Sequence, residues 1–457
     1  MAFSPLDSEL LASLFSTAEM RAEFSDRALL AAMLKAEAAL ARAEARFGLA
    51  PEGLPAAIEA IASESLDLQE LGEATAPAGV PTIPFVKAVQ GLLPKELEPF
   101  FHRGATSQDI LDTALVLQMR HAFDLLTPDL DGTLAGLAAL AQKHRKTPCI
   151  GRTFGQHAAP VPFGYKAAIW ATGIAETAAR LNELRARVLF ASLGGPVGTL
   201  AALGEKGPGV ADAFAAELGL AAAPVAWHTS RARIVETGAW LALLVGALAK
   251  MGTDVVHLAS TEVGEVAEPH VPGRGGSSAM PHKRNPVAAT IILAAHGAAL
   301  GHLATLMASM AAQHERPAGA WHAEWHALPQ LFGLASGALR EARSLAEGLV
   351  VDEARMLANI NRTNGLIFAD AAAGSLAEAL GRHAAHALVE RAAEQVRGSG
   401  RPLQNVLRDD PAVPAEARFR LDAAFDLQPA VAAAALWTDR ALAAIGHAGV
   451  VPGVARA

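Results

Sequence analysis

The chain has 457 residues, 52% of them apolar and 18% charged, and a formal net charge of −8. That length allows about two to four domains with sizeable cores, and the negative balance leaves no basic stripe for DNA, RNA or anionic lipid, so nucleic acid and membrane are excluded as expected partners. The single cysteine, Cys149, excludes an internal disulfide, and the opening MAFSPLDSELLASLF lacks the basic head and cleavage pattern of a signal peptide, which makes the cytoplasm the expected compartment.

Alanine and leucine dominate while β-branched and aromatic residues are scarce, a composition that favours helices because those two side chains lose little on entering one. The first predicted helix covers 26–47; prolines at 51, 55, 77, 81, 84 and 94 then break the chain, which predicts a small helical domain over 1–105. From Thr106 long apolar-periodic runs follow at 107–144, 162–191, 231–264, 286–313 and 330–348, predicting long helices gathered in a central bundle over 106–349. The most apolar stretch, Gly238 to Ala249, is followed by Lys250 and Asp254 and is shorter than the roughly 20 residues a bilayer needs, so it reads as a buried core helix. Such a helix must be covered on several sides, and subunits sharing a bundle would cover it. Shorter helices return in a third domain over 350–457, with a loop-like stretch at 398–419. The predicted fold is therefore all-α, in three helical domains.

Three polar, glycine- and proline-rich segments interrupt the long helices: HRGATSQD at 102–109, GRTFGQHAAP at 151–160 and EPHVPGRGGSSAMPHKRNP at 268–286. Thr106 stands three residues before Asp109 at a helix start, the pattern of a capping box with Asp in place of Glu. Capping alone would explain it, but a helix start bearing Thr106, Ser107 and Gln108 also offers donors to an anion. The second segment sets Arg152, Thr153, Gln156 and His157 on a turn, with a helix expected from Pro160; a lone histidine in such a place is more often structural than catalytic. In the third, Asn285 and Pro286 suit the N-cap and N1 positions of the next helix. Capping does not explain Ser277, Ser278, His282, Lys283 and Arg284 around a mobile glycine loop, a combination suited to an anion-clamping lid. His322, Glu324 and His326 form H-x-E-x-H rather than the H-E-x-x-H of zinc proteases, and no metal site is expected.

Together, in this order, the three segments resemble the signature regions of the fumarase/aspartase superfamily, over nearly the whole chain, with GSSAMPHKRNP the most specific. The resemblance implies a β-elimination next to a carboxylate, with Ser277 as the proton-transferring residue and Lys283 and Asn285 stabilising the enolate-like intermediate. A serine alkoxide needs backbone N–H groups and cations in a dry site, and a doubly charged intermediate needs preorganised donors. It also implies a homotetramer with each active site assembled from three subunits, and no metal or organic cofactor.

The chain departs from most of that superfamily at two positions. Phe154 stands where fumarases, argininosuccinate lyases and adenylosuccinate lyases carry a histidine, and Thr290 stands where they carry its glutamate partner. Amines and hydroxide leave poorly without an acid, whereas a carboxylate leaves unaided. The chain is accordingly most similar to the bacterial 3-carboxy-cis,cis-muconate cycloisomerase branch of protocatechuate breakdown, which has an aromatic residue at that position. That branch implies a tricarboxylate substrate forming 4-carboxymuconolactone, with His102, Thr106, Ser107, Arg152, Thr153, Gln156, His157 and Arg316 as candidate substrate contacts. An adenylosuccinate lyase-like C–N lyase and a non-catalytic, crystallin-like member are the rival readings.

Overall fold

Ser25 opens the first long helix, α1 (Asp26–Arg46), by accepting the N–H of Ala28 on its hydroxyl. Along α1 the buried residues Leu30, Met33, Glu37, Leu40 and Glu44 recur at alternating spacings of three and four, a stripe that places two glutamates among core positions. The computed structural model, which describes residues 3–447, is helical apart from two short antiparallel ribbons.

The long central helices are α2 (Ser107–Lys143), α3 (Phe163–Ala179), α4 (Ala232–Leu258), α5 (Val287–Ser309) and α6 (Ala320–Gly348). Three expectations are corrected. The run at 162–191 is divided, because a tight turn in which the Arg180 N–H bonds to the Thr177 carbonyl separates α3 from the helix Leu181–Val188. The last run begins ten residues early, at Ala320: Gly319 supplies the carbonyl that receives the Ala323 N–H, and Pro329, already inside the helix, removes only one donor. Instead of a helix from Pro160 there is a hairpin of β1 (Pro148–Thr153) and β2 (Gln156–Pro162). Pro160 and Pro162 disfavour helical geometry in the residues before them, so α3 begins just after the second.

In space the chain gathers into two compact units whose boundaries fall inside α2, α3, α4, α5 and α6. A helix of 37 residues such as α2 runs about 55 Å at its usual rise and outspans any single small core, so a division along the sequence is not one in space. Of the described residues, one unit holds those up to Leu130, Thr177–Ala249 and Ile291–Glu341; the other holds Asp131–Glu176, Lys250–Thr290 and those from Ala342 onward.

The first unit is built on an aromatic ladder in which Phe332 contacts both Phe24 and Phe123, and Phe123 meets Trp240 edge-on. Beside it Arg231, fully buried, forks onto Asp112 (2.6 and 3.0 Å) and onto Glu324 on its other edge, while Trp321 donates to Asp112 at 3.0 Å. Removing one partner from such a cluster leaves an uncompensated buried charge. Gly337 in α6 allows the segment at Phe15 to seat against the helix, since a Cβ there would lie 2.1 Å from the Phe15 carbonyl oxygen. In the second unit Phe163 meets His144 and Trp170 edge-on, and the later helices close a separate core around Leu376, Leu388, Leu407 and Leu421.

Candidate active site

Four of the candidate residues lie in the first unit. The capping box expected at Thr106 and Asp109 is half formed: the Asp109 carboxylate reaches back to the Thr106 N–H at 3.0 Å, but the Thr106 hydroxyl accepts from Arg316 at 2.8 Å. The fully buried Asp109 also accepts from the N–H groups of Gly194 and Gly195, both at 2.8 Å, and pairs with His228 at 2.6 Å. It thus ties the start of α2 to the Gly194–Pro196 turn, and Arg316 bridges the same two segments through its contacts to Thr106 and the Pro196 carbonyl. Ser107 follows Thr106, half-buried, at the first position of α2.

His102 precedes them in the left-handed region, at φ +58, a conformation that bulky residues adopt only where the surroundings hold them. Its Nδ1 lies 2.5 Å from Oε1 of the buried Glu37 of α1. Burial opposes the charged ring, but Glu37, through charge and hydrogen bond together, holds His102 above the ordinary histidine range.

Seven candidates lie in the second unit, on two loops. The β1–β2 hairpin turns through Phe154 and Gly155, both at positive φ (+51 and +75), and pairs Arg152 with His157 and Thr153 with Gln156. Phe154, Thr153 and Gln156 are exposed at the tip. Arg152 is already matched: both of its terminal nitrogens donate to the buried Glu265, at 2.5 and 3.1 Å, and Asn359 donates to the same carboxylate. His157 is pushed below the ordinary histidine range by burial and then by Arg152, and so is held neutral.

Ser277, Lys283 and Asn285 share the loop before α5. Gly273 and Gly275 take positive φ, the Gly275 carbonyl accepts the Asn285 N–H at 2.8 Å, and the Ser277 hydroxyl accepts the Met280 N–H at 3.1 Å. The expected cap by Asn285 is not what satisfies the helix start. Glu268 accepts from the N–H groups of Ala288 and Ala289 at 3.0 and 2.9 Å, since a carboxylate serves two donors and complements the helix dipole. Capping therefore does not engage the Asn285 side chain. The Thr290 hydroxyl turns back onto the Pro286 carbonyl at 2.7 Å.

Sequence reasoning missed Glu37, His228, Glu265 and Glu268 as partners of these residues. Glu37 carried a signal, a carboxylate in the apolar stripe of α1; the others carried none, because their partners are brought in from distant segments. In the H-x-E-x-H run Glu324 faces Arg231 and His322 faces the Gly79 carbonyl.

Comparison with known proteins gives the arrangement a context. A family described as lyase matches residues 15–301, and one described as adenylosuccinate lyase C-terminus matches 365–441. The chain is 47% identical to a 3-carboxy-cis,cis-muconate cycloisomerase of Pseudomonas aeruginosa, over 95% of this chain and 96% of that one. It is 46% identical to a nitrosuccinate lyase of Streptomyces davaonensis, over 89% and 88% of the two chains. The crystal structure of the 3-carboxy-cis,cis-muconate lactonizing enzyme of Pseudomonas putida aligns with a TM-score of 0.92 at 45% identity, covering 97% of this chain and all of that one.

Proposed function

We propose a function from one premise: this chain belongs to the lyase family. The reaction is closure of 3-carboxy-cis,cis-muconate to 4-carboxymuconolactone, a step of protocatechuate breakdown whose reverse is a β-elimination. A carboxylate oxygen of the substrate bonds to one carbon of a conjugated double bond, and the π pair moves toward the carboxylate on the neighbouring carbon. The enolate-like intermediate then takes a proton on carbon from Ser277. Lys283 and Asn285 hold the added charge. The Met280 N–H already directed at the Ser277 oxygen is suited to hold the alkoxide until water restores its proton. His102, Thr106, Ser107, Arg316, Thr153, Gln156 and a neutral His157 receive the carboxylates, while Arg152, matched by Glu265, fixes the hairpin. No metal or organic cofactor is assigned a role, because the proton transferred is next to an activating carboxylate and no electrons change hands.

The observation that carries this reading is Phe154. The hairpin tip presents a hydrocarbon where an acid would be needed to protonate an amine or hydroxide, and a carboxylate leaves without one. Nitrite is also a weak base, and the 46% identity to a nitrosuccinate lyase makes release of nitrite from nitrosuccinate the second reading. Self-assembly to a homotetramer, with sites completed by three subunits, is part of the proposal. It is supported by α5, whose apolar window is only 33% buried within the chain.

The test is metal-free incubation with 3-carboxy-cis,cis-muconate, nitrosuccinate and adenylosuccinate in parallel, following the conjugated diene, nitrite and fumarate. Loss of the diene with lactone formation is expected. Turnover of nitrosuccinate alone would move the assignment to the second reading, adenylosuccinate cleavage would mean that Phe154 has been misread, and silence with all three would leave a non-catalytic member. Ser277→Ala should lower turnover by about 10²- to 10⁴-fold with the assembly intact; near-normal turnover would remove Ser277 from its role.

A further inference from the structure

The pair that the chain lacks, at Phe154 and Thr290, is not its only opportunity for a histidine charged by a glutamate. Glu37 and His102 form one in the first unit, four residues before Thr106, and three features set it apart. Glu37 is 1% exposed and occupies a core position of α1, where an uncompensated carboxylate would be strongly unfavourable. His102 is held at φ +58, so the backbone is bent to present the ring to that carboxylate. The 2.5 Å contact uses Nδ1, which leaves the other ring nitrogen for a ligand.

We propose that Glu37 is a positioning residue that holds His102 as an imidazolium, making it a fixed cation for one carboxylate of the substrate. This rests on the proposed function only in taking the ligand to be a polycarboxylate.

The charged groups acting on the ring are Glu37 and Glu44 from α1 and Asp109 from α2, all of which favour the cation, and burial, which opposes it. Arg103, next in the chain, acts on Glu44 and donates to the Leu49 carbonyl at 2.8 Å. Burial pushes Glu44 up to about 8, so it is neutral through most of the physiological range and leaves Glu37 as the counterion in contact. His157, the other candidate histidine, shifts the opposite way.

The experiment measures binding of tricarballylate, a stable tricarboxylate, to the assembled protein by calorimetry as a function of pH, so that turnover of muconate is not required. Wild-type affinity should hold through the ordinary histidine range and fall only at higher pH. In Glu37→Gln, with burial no longer opposed by that carboxylate, the fall should begin at or below the ordinary histidine pKa, weakening binding by up to about tenfold per pH unit above it, with affinity in acid close to wild type. Glu44→Gln should keep the wild-type profile below about pH 8. Parallel profiles for wild type and Glu37→Gln, or no tricarballylate binding by wild type, would overturn the proposal. If Glu37→Gln does not fold, His102→Gln decides: its binding should be weak and lack the alkaline fall, and a wild-type profile would overturn the proposal. Failure to turn over muconate, with the Glu37-dependent fall intact, would refute the proposed reaction and leave this inference standing.

Discussion

Glu44 lies one heptad along α1 from Glu37, buried, with Oε1 lacking a hydrogen-bond partner among the described residues. Burial outweighs the nearby Arg103 and raises its pKa from an ordinary 4.5 to about 8. The sign of the consequence follows from proton counting. Between those two values the folded chain keeps a proton that the unfolded chain has lost, so this contribution to stability is complete below 4.5 and is lost as pH rises through about 8. Glu44→Gln should therefore flatten the decline in melting temperature between about pH 5 and pH 8, measured by thermal unfolding; equal slopes for variant and wild type would show that Glu44 does not hold the proton. At this scale legibility is uneven. The stripe Leu30, Met33, Glu37, Leu40, Glu44 displays its two misplaced carboxylates in the sequence itself. Nothing local to Glu265 or Glu268 announces that one will neutralise Arg152 and the other will cap α5.

The hairpin shows where an element departs from its sequence pattern. Its prolines argued for a boundary, but the two positive-φ residues of a tight turn are usually Asn-Gly or Asp-Gly, and Phe-Gly hid the signal. Phe154 combines a left-handed backbone with full exposure, two features that each cost a folded chain something and that packing within this chain does not explain. Phe154→Asn should leave stability equal or slightly raised, because asparagine tolerates that backbone better, while lowering muconate turnover by roughly tenfold or more. A melting curve beside kcat/KM checks both halves; a stable variant with unchanged turnover would make the phenylalanine incidental. The helices were more readable. Four of the five predicted runs start within a residue of α2 to α5, because long apolar periodicity survives tertiary context, and the fifth helix starts ten residues ahead of its predicted run and carries Pro329 inside it.

At the scale of the whole molecule, α4 and α5 are both long and apolar enough by composition to cross a membrane, yet their apolar windows are 67% and 33% buried within the chain. The difference lies in which surface is still open. Leu243, Leu300 and Met307 of the first unit are exposed large side chains on these two helices. Light scattering on a sizing column should return four times the chain mass, and Leu300→Glu combined with Met307→Glu should shift it to smaller species with loss of turnover. A monomeric wild type that is fully active would refute shared sites. The sequence suggested a helix needing cover but not its extent, because burial against another copy leaves the same apolar pattern as burial within one chain. The open face of α5 also bears on how the protein is made. In the proposed assembly the core would be completed by other copies, folding would be of higher than first order, and the time spent with that face bare would lengthen as the protein is diluted. Unassembled chains are then exposed longest to proteolysis when synthesis is too slow to supply partners, so the yield of active enzyme would follow expression rate as well as stability.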